Sequence, residues 1–328
     1  MQTETGVATK LSNTGLPYAA EDPFFMDVKM KKKSSLTFAV VGTGMVGTAI
    51  GFLLQKSGHN VAAVADLSAA HLKRAASYIR APGFHHPAQA AKLADCILIT
   101  TPDGRIAAAC AQIVSGSDVK GKKVFHMSGA GGLDLLAPAA RAGALTASIH
   151  PLQSFSSIDG AVSSIPGSYF GVTAAAGAKR LAADIVRDLQ GIPIPVSAAQ
   201  KPLYHVAACI ASNYLVSLLS VVEAVYRSIG FSEKDARRAY LPLVYGSLKN
   251  IENQGCPNAL TGPIARGDSE TIQKHIDAMA RHLPDFASMY AHMGAIAVKL
   301  AREKGTLSAA QAKEILGMLK GAKHEHAD

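Results

Sequence analysis

From Leu36 onward, short apolar runs alternate with stretches whose apolar residues recur every three or four positions. Leu36–Val41 is an apolar run stopped by glycine, the pattern of a strand buried on both faces. Met45–Ser57 reads as a helix with Val46, Ala49, Ile50 and Leu53 on one side and Gly58 as its C-cap. Asn60–Ala65 is a second buried strand, ending at Asp66. Further strands are predicted over 96–100, 123–127, 144–149, 169–173 and 192–196, with helices over about 104–114, 133–142 and 178–190. Strands separated by helices of this length imply right-handed crossovers: an α/β fold with a doubly wound, mostly parallel sheet.

Past Ala198 the strand pattern ends. Pro202–Ile229 carries a helical stripe of Leu203, Val206, Ile210, Tyr214, Leu218, Val221 and Val225, closed by Gly230. Ser232 and Asp235 resemble a capping box opening the next helix. More helices are predicted over 233–252, 268–281, 285–303 and 308–320. Three regions follow: residues 1–34 as a disordered extension, 35–198 as the sheet domain, and 199–322 as an all-helical C-terminal domain. Residues 206–222 lack charge, but Ser212, Asn213, Ser217 and Ser220 suit a buried central helix better than a membrane span.

At 328 residues the chain is too long for one small domain. With 48% apolar and 17% charged residues it has ample material for a core. Cys96, Cys110, Cys209 and Cys256 form no C-x-x-C pair, which argues against a zinc ribbon or disulfide framework and suits a reducing cytoplasm. No metal site is expected. No leader or long apolar run opens the sequence, and Met26 or Met30 could serve equally as initiator, so a soluble cytoplasmic protein is expected. Of the net charge of +9, residues 1–35 hold +1, so +8 lies beyond them. With no Trp and no basic stripe interleaved with aromatics, this charge suits anionic cofactors and substrates better than nucleic acid.

Between the first strand and first helix stands Gly42-Thr43-Gly44-Met45-Val46-Gly47. A bare G-x-G-x-x-G is weak, but here a strand precedes it, a helix follows, and Asp66 lies at the end of the next strand. Gly42 permits the tight turn, Gly44 the approach of a pyrophosphate to the backbone, and Gly47 close packing of helix on strand. The diphosphate of a nicotinamide dinucleotide, NAD or NADP, is then expected on the free N–H groups of the helix start. Asp66 suits the ribose hydroxyls of NAD, while Ser68, His71, Lys73 and Arg74 could hold the extra phosphate of NADP.

Ligands of open α/β sheets bind beyond the carboxyl ends of the strands, which selects three more turns. Thr101-Pro102-Asp103 is expected under the nicotinamide ribose, with N-capping by Thr101 or Asp103 as the alternative. Ser128-Gly-Ala-Gly-Gly132 could present N–H groups to cofactor or substrate. His150, after the strand at 144–149, is placed for proton transfer, or is a satisfied loop residue beside Pro151. On the long helix, His205, Cys209 and Asn213 share one face, with Lys201 one turn earlier. Between two later helices, Thr261 and Arg266 would suit an anionic substrate, while Asp268 could simply cap the next helix.

These motifs resemble a known group: Rossmann-like proteins with a C-terminal helical domain of unknown function, DUF2520, labelled as NADP oxidoreductases. The resemblance is carried by Val41–Gly47, His126–Ala130, Ile149–Phe155, His205–Asn213 and Leu260–Asp268, and runs from about residue 36 to about 303. The group is similar to the wider set containing ketopantoate reductase, pyrroline-5-carboxylate reductase and 6-phosphogluconate dehydrogenase. That similarity implies a cleft between two domains and a homodimer formed through the helical one. In that set a lysine on the long helix serves as acid/base one turn before an asparagine; here Cys209 stands one turn before Asn213. His150 or His205 would then exchange the proton, Asn213 would orient the substrate oxygen, and Ser128, Lys201, Thr261 and Arg266 would bind a small anionic substrate. The expected activity is hydride transfer between nicotinamide and a carbonyl, imine or secondary alcohol. The alternative is a dinucleotide-binding sensor or partner-binding module without turnover.

Overall fold

The computed structural model describes residues 35–324, and the chain divides into two compact units between His205 and Val206. The expectation of a disordered extension over 1–34 falls outside the described residues.

The first unit is built on eight strands: β1 (Thr37–Val41), β2 (Asn60–Ala65), β3 (Gly83–Phe84), β4 (Cys96–Ile99), β5 (Lys123–His126), β6 (Leu145–Pro151), β7 (Tyr169–Ala174) and β8 (Ile192–Pro195). They form one sheet in the order β3-β2-β1-β4-β5-β6-β7-β8. Every pairing is parallel except β6 with β7. The helices between them are α1 (Met45–Lys56), α2 (Ala69–Ala75), α3 (Pro87–Ala91), α4 (Asp103–Gly116), α5 (Ala137–Arg141), α6 (Ile158–Ser164) and α7 (Lys179–Asp188). The period of two along β1 sends Phe38 and Val40 to one face, packed with Ile50 and Leu54 of α1. Ala39 and Val41 go to the other, with Ile106, Cys110 and Ile113 of α4. Burial on both faces explains why these strands are unbroken apolar runs, each fully buried large side chain contributing about 1.5–3 kcal/mol. The strand order reverses between β1 and β4, which opens a crevice at their carboxyl ends.

The periodicity misses α2, β3, α3 and α6, each of seven residues or fewer. Such elements are too short for a repeat to register, and α3 starts on a proline already fixed for a helix start. The antiparallel pairing of β6 with β7 is closed where Leu152 N–H donates to Tyr169 O at 2.8 Å.

Helix α8 (Lys201–Cys209) runs into a π-helical segment, Ile210–Tyr214, and then α9 (Leu215–Ser228). The second unit continues with α10 (Glu233–Ala259), α11 (Pro263–Arg266), α12 (Ser269–His282), α13 (Pro284–Lys304) and α14 (Ala309–His324). Ser232 caps α10 by accepting from Asp235 N–H at 3.2 Å, as the box pattern requires. Gly255, at φ 75°, interrupts α10. The core of this unit is Ile272 and Ile276 of α12, Ala291, Val298 and Ala301 of α13, Leu307, and Ile315 and Leu319 of α14.

The expectation of a buried central helix is corrected. In α9 only Val221 is buried, whereas Val206, Ile210, Tyr214 and Val216 are 50–69% exposed. The apolar core of this unit is filled by α12–α14; of the stripe, Leu203, Val206, Ile210 and Tyr214 are exposed, whereas Leu218 and Val225 are half-buried and Val221 is buried. By length and composition, Lys201–Ser228, with a window of mean hydropathy 1.7, could also cross a membrane.

Candidate active site

The turn after β1 is held by contacts that only glycines permit. Gly42 has φ +101°, and a Cβ there would stand 2.7 Å from Thr101 N. A Cβ on Gly47 would stand 1.9 Å from Gly42 O and 2.4 Å from Thr100 Oγ1. Gly44 differs: a Cβ there meets nothing within 4 Å. It is the N-cap of α1 without a side-chain cap, and the first turn holds no acidic residue. The N–H groups of Met45, Val46 and Gly47 therefore begin the helix beside open space, with the positive end of the helix dipole behind them. This cradle fits a diphosphate. A second fitting feature is Thr101 Oγ1, buried with no hydrogen-bond partner, beside the exposed Pro102 that N-caps α4.

Asp66 clips this loop in place. Its Oδ2 accepts from Thr43 N at 2.7 Å and Thr43 Oγ1 at 3.1 Å, and lies 3.3 Å from His71 Nδ1. Its Oδ1 accepts from Ser68 N at 2.8 Å. Burial opposes its ionisation, but the N–H groups of Ser68 and Thr43 outweigh it and hold the carboxyl below its ordinary range.

Along the same sheet edge lies a polar cluster drawn from the start of α4, β5 and the turn after it, β6 and α8. Lys201 is 1% exposed, and its Nζ donates to Ser128 O at 2.9 Å and to Ser148 Oγ at 2.8 Å. Ser128 Oγ donates to Asp103 Oδ2 at 2.6 Å and accepts from Gly131 N at 2.7 Å. His126 Nδ1 accepts from Ser128 N–H at 3.1 Å, and its Nε2 lies 3.1 Å from Gly132 O. The 128–132 turn is thus locked by side chains. Burial lowers the Lys201 ammonium to about 8, opposed by Asp103. Burial also pushes His126 and His150 down to about 4, with the Lys201 charge adding to the effect, so both imidazoles are neutral at pH 7.

His150 Nδ1 is 3.0 Å from Tyr204 Oη, and its ring meets that of His205 edge to face with centroids 5.8 Å apart. Gly129 lies under both imidazoles. A Cβ there would be 2.5 Å from His205 Nδ1 and 2.8 Å from His150 Nε2. His205 Nδ1 is buried without a partner. Two imidazole nitrogens therefore converge on bare backbone, in a setting that can donate or accept one proton.

The structure brings Ser128, His150, Lys201 and His205 together, and Gly42–Gly47 with Asp66 and Thr101. Two members of the cluster face inward. Lys201 and Ser128, 1% and 2% exposed, spend their polar atoms on the protein, so neither is free to meet a substrate carboxylate as the sequence suggests. Asn213, Thr261 and Arg266 belong to the second unit, where all three are exposed. Asn213 lies in the π-helical segment, a distortion often found at functional sites. Asp268 does cap α12, accepting from Thr271 N–H at 3.0 Å. Sequence reasoning misses Tyr204, His126 and Ser148, whose roles come from pairing between distant elements; the only local signal for Tyr204 is that it adjoins His205.

A doubly wound sheet with a glycine turn at its switch point defines a Rossmann-like fold, here followed by helices. Residues 25–151 match the Rossmann-like domain, and residues 168–297 match the domain of unknown function DUF2520, so the chain carries both domains. No curated protein matches the sequence. Among solved structures, a Thermotoga maritima protein is similar at 20% identity and TM-score 0.65, covering 81% of this chain and 99% of its own. A pyrroline-5-carboxylate reductase from Coxiella burnetii aligns at 15% identity and TM-score 0.53, covering 88% of this chain and 98% of its own. A reductive aminase from Aspergillus terreus in complex with NADPH aligns at 18% identity and TM-score 0.52, covering 89% and 95%. These likenesses show the fold.

Proposed function

We propose that the protein is a nicotinamide-dinucleotide-dependent oxidoreductase acting on a carbonyl, imine or secondary alcohol of a small, anionic compound. The observation that carries this reading is the open cradle at Gly44, at the start of a helix with no cap of its own, on the same sheet edge as a partly buried histidine pair. Similar folds include reductases, one of them in complex with NADPH. A bound NAD or NADP supplies or accepts the hydride. The N–H groups of Met45–Gly47 hold its diphosphate, Asp66 shapes the loop through Thr43 and offers an acceptor to a ribose hydroxyl, and Thr101 and Pro102 line the way to the nicotinamide. His150 and His205 hold or move the proton at the substrate oxygen or nitrogen. Lys201 and Ser128, turned inward, fix the 128–132 turn on which the imidazoles rest.

The same reading makes the protein a soluble, cytoplasmic homodimer. The uncovered residues Ile210, Tyr214, Val216, Leu243 and Tyr245 line α9, α10 and the segment before them, and a second copy of this chain would cover them.

The test is a panel of keto acids, ketones, imines and hydroxy acids with both cofactors, read by nicotinamide absorbance, alongside calorimetry of cofactor binding. Turnover of one substrate class is expected. Cofactor binding without any absorbance change across the panel would remove the catalytic reading and leave a dinucleotide sensor.

A further inference from the structure

His150 lies on β6, directly opposite Gly171 of β7 in the antiparallel register. The glycine leaves a gap that Tyr204 fills: a Cβ at residue 171 would stand 2.7 Å from both Cζ and Oη of that ring. Seated there, the phenol oxygen comes within 3.0 Å of His150 Nδ1, with the rings edge to face at 87°. On its far side the imidazole turns Nε2 toward the bare backbone of Gly129. Burial raises the Tyr204 phenol above its ordinary value, so it keeps its proton, and His150 is neutral. Between a protonated phenol and a neutral imidazole, the ring nitrogen is the better acceptor. Tyr204 therefore donates to Nδ1, and the imidazole hydrogen sits on Nε2.

The charged and titratable groups around this imidazole are Lys201 and His205 from α8, Asp103 from α4 and His126 from β5. Lys201 acts on His150 more strongly than the opposing Asp103, whose carboxylate already accepts from Ser128 Oγ. Lys201 Nζ is anchored at 2.8 Å on Ser148 Oγ, two residues before His150 on the same strand, which sets a buried positive charge in this part of the sheet edge.

We propose that this site takes a neutral carbonyl compound, its oxygen held by the Nε2–H of a His150 whose tautomer Tyr204 fixes, and excludes iminium cations. This rests on the oxidoreductase reading above and narrows it. A carbonyl oxygen offers lone pairs to an N–H donor; an iminium nitrogen offers none and brings positive charge toward a buried ammonium. In the reduction the carbonyl carbon accepts a hydride, with its two electrons, from the reduced dinucleotide, which is left oxidised. The C=O π pair passes to oxygen, which takes one proton from water. His150 is neutral before and after, acting as a hydrogen-bond donor, and the Lys201 charge favours the negative charge that develops on the oxygen. Tyr204 is a positioning residue.

Two measurements on the full chain test this. Nitrogen NMR of histidine-labelled protein at pH 7, with the His150 signals assigned by their loss in His150→Gln, is expected to show the Nε2–H tautomer and a mixture of tautomers in Tyr204→Phe. An Nδ1–H tautomer in the wild type, or no change in Tyr204→Phe, overturns the proposal whether or not a substrate is known. In parallel, ketones and keto acids are compared with permanently charged N-alkyl iminium salts of the same ring size. Carbonyls are expected to turn over at least about tenfold faster, and Tyr204→Phe to lower kcat about tenfold with KM nearly unchanged. Preference for the iminium salts overturns the proposal while the oxidoreductase reading stands. Absence of turnover with either set, despite cofactor binding, removes that reading and this proposal with it.

Discussion

Replacing Gly44 and, separately, Gly47 with alanine divides what the glycine loop does for folding from what it does for binding. At Gly47 the new methyl would stand 1.9 Å from Gly42 O in the tight turn and 2.4 Å from Thr100 Oγ1 just after β4. Backbone cannot give by more than an ångström without moving α1 off β1, and overpacking of this kind costs about 1–3 kcal/mol. Displacing Thr100 also strains its 2.6 Å hydrogen bond to Gly42 O, worth roughly another 0.5–1.5 kcal/mol. The melting temperature is expected to fall by about 4–15 °C. At Gly44 the balance is opposite. Its φ of −65° and ψ of −164° are open to alanine, and its Cβ position is clear. Stability should change by less than about 1 kcal/mol, because the restricted unfolded chain favours alanine by about 0.4–1 kcal/mol while alanine is the poorer N-cap. The methyl would nonetheless stand at the mouth of the N–H cradle, and loss of one charge-assisted hydrogen bond, about 1.5–3 kcal/mol, weakens dinucleotide binding tenfold or more. Thermal unfolding and calorimetric titration with NADH and NADPH read the two effects separately. A Gly44→Ala protein that binds both cofactors as the wild type does would refute the cradle, and a Gly47→Ala protein that melts normally would refute the packing argument.

Acid should destabilise the first unit in a defined window. His126 and His150 are held near 4 in the fold, below the ordinary histidine value, so their contribution is complete above about pH 6.5 and is lost as pH falls toward 4; urea unfolding across that range measures it. Lys201, also lowered, to about 8, should make stability rise between about pH 8 and 10.5 by the same linkage, a rise absent in Lys201→Met. In that variant the His150 titration followed by NMR should move upward, because the ammonium that disfavours its protonation is gone. Asp66→Ala is expected to reduce affinity for NAD more than for NADP; equal losses in calorimetry would leave Asp66 as a loop clip alone. Val216→Asp, at a position 69% exposed, should convert a dimer to a monomer in analytical ultracentrifugation without changing the melting of the monomer, whereas a wild type that sediments as a monomer would end the dimer reading.

The central strands were legible because burial on both faces removes polar residues from them, and Asn60–Ala65 is bounded in the structure as its pattern predicts. The glycine fingerprint was legible for a related reason: close approach leaves one residue type possible at Gly42 and Gly47. Burial of the long helix was misjudged because a stripe of apolar residues looks the same whether its cover comes from the same chain or from another molecule. The inward turn of Lys201 was equally hidden, since a lysine on an amphipathic helix reads as solvated until the turn after β5 and strand β6 are known to supply its acceptors. Tyr204 depends on a vacancy at Gly171, a residue more than thirty positions away whose importance is visible only once β7 lies beside β6.

The wide turn at Ile210–Tyr214 has a geometric result for everything downstream. A π turn absorbs one extra residue, so the spokes of α9 lag those of α8 by one step of about 100° relative to uninterrupted winding. Deleting a single amino acid within that turn would therefore restore uninterrupted winding and leave the later side chains facing as they do, whereas deleting one from the regular part of α9 would turn every later side chain by about 100°. A chain shortened in the wide turn would keep both its helical content and the flank it presents from residue 215 onward.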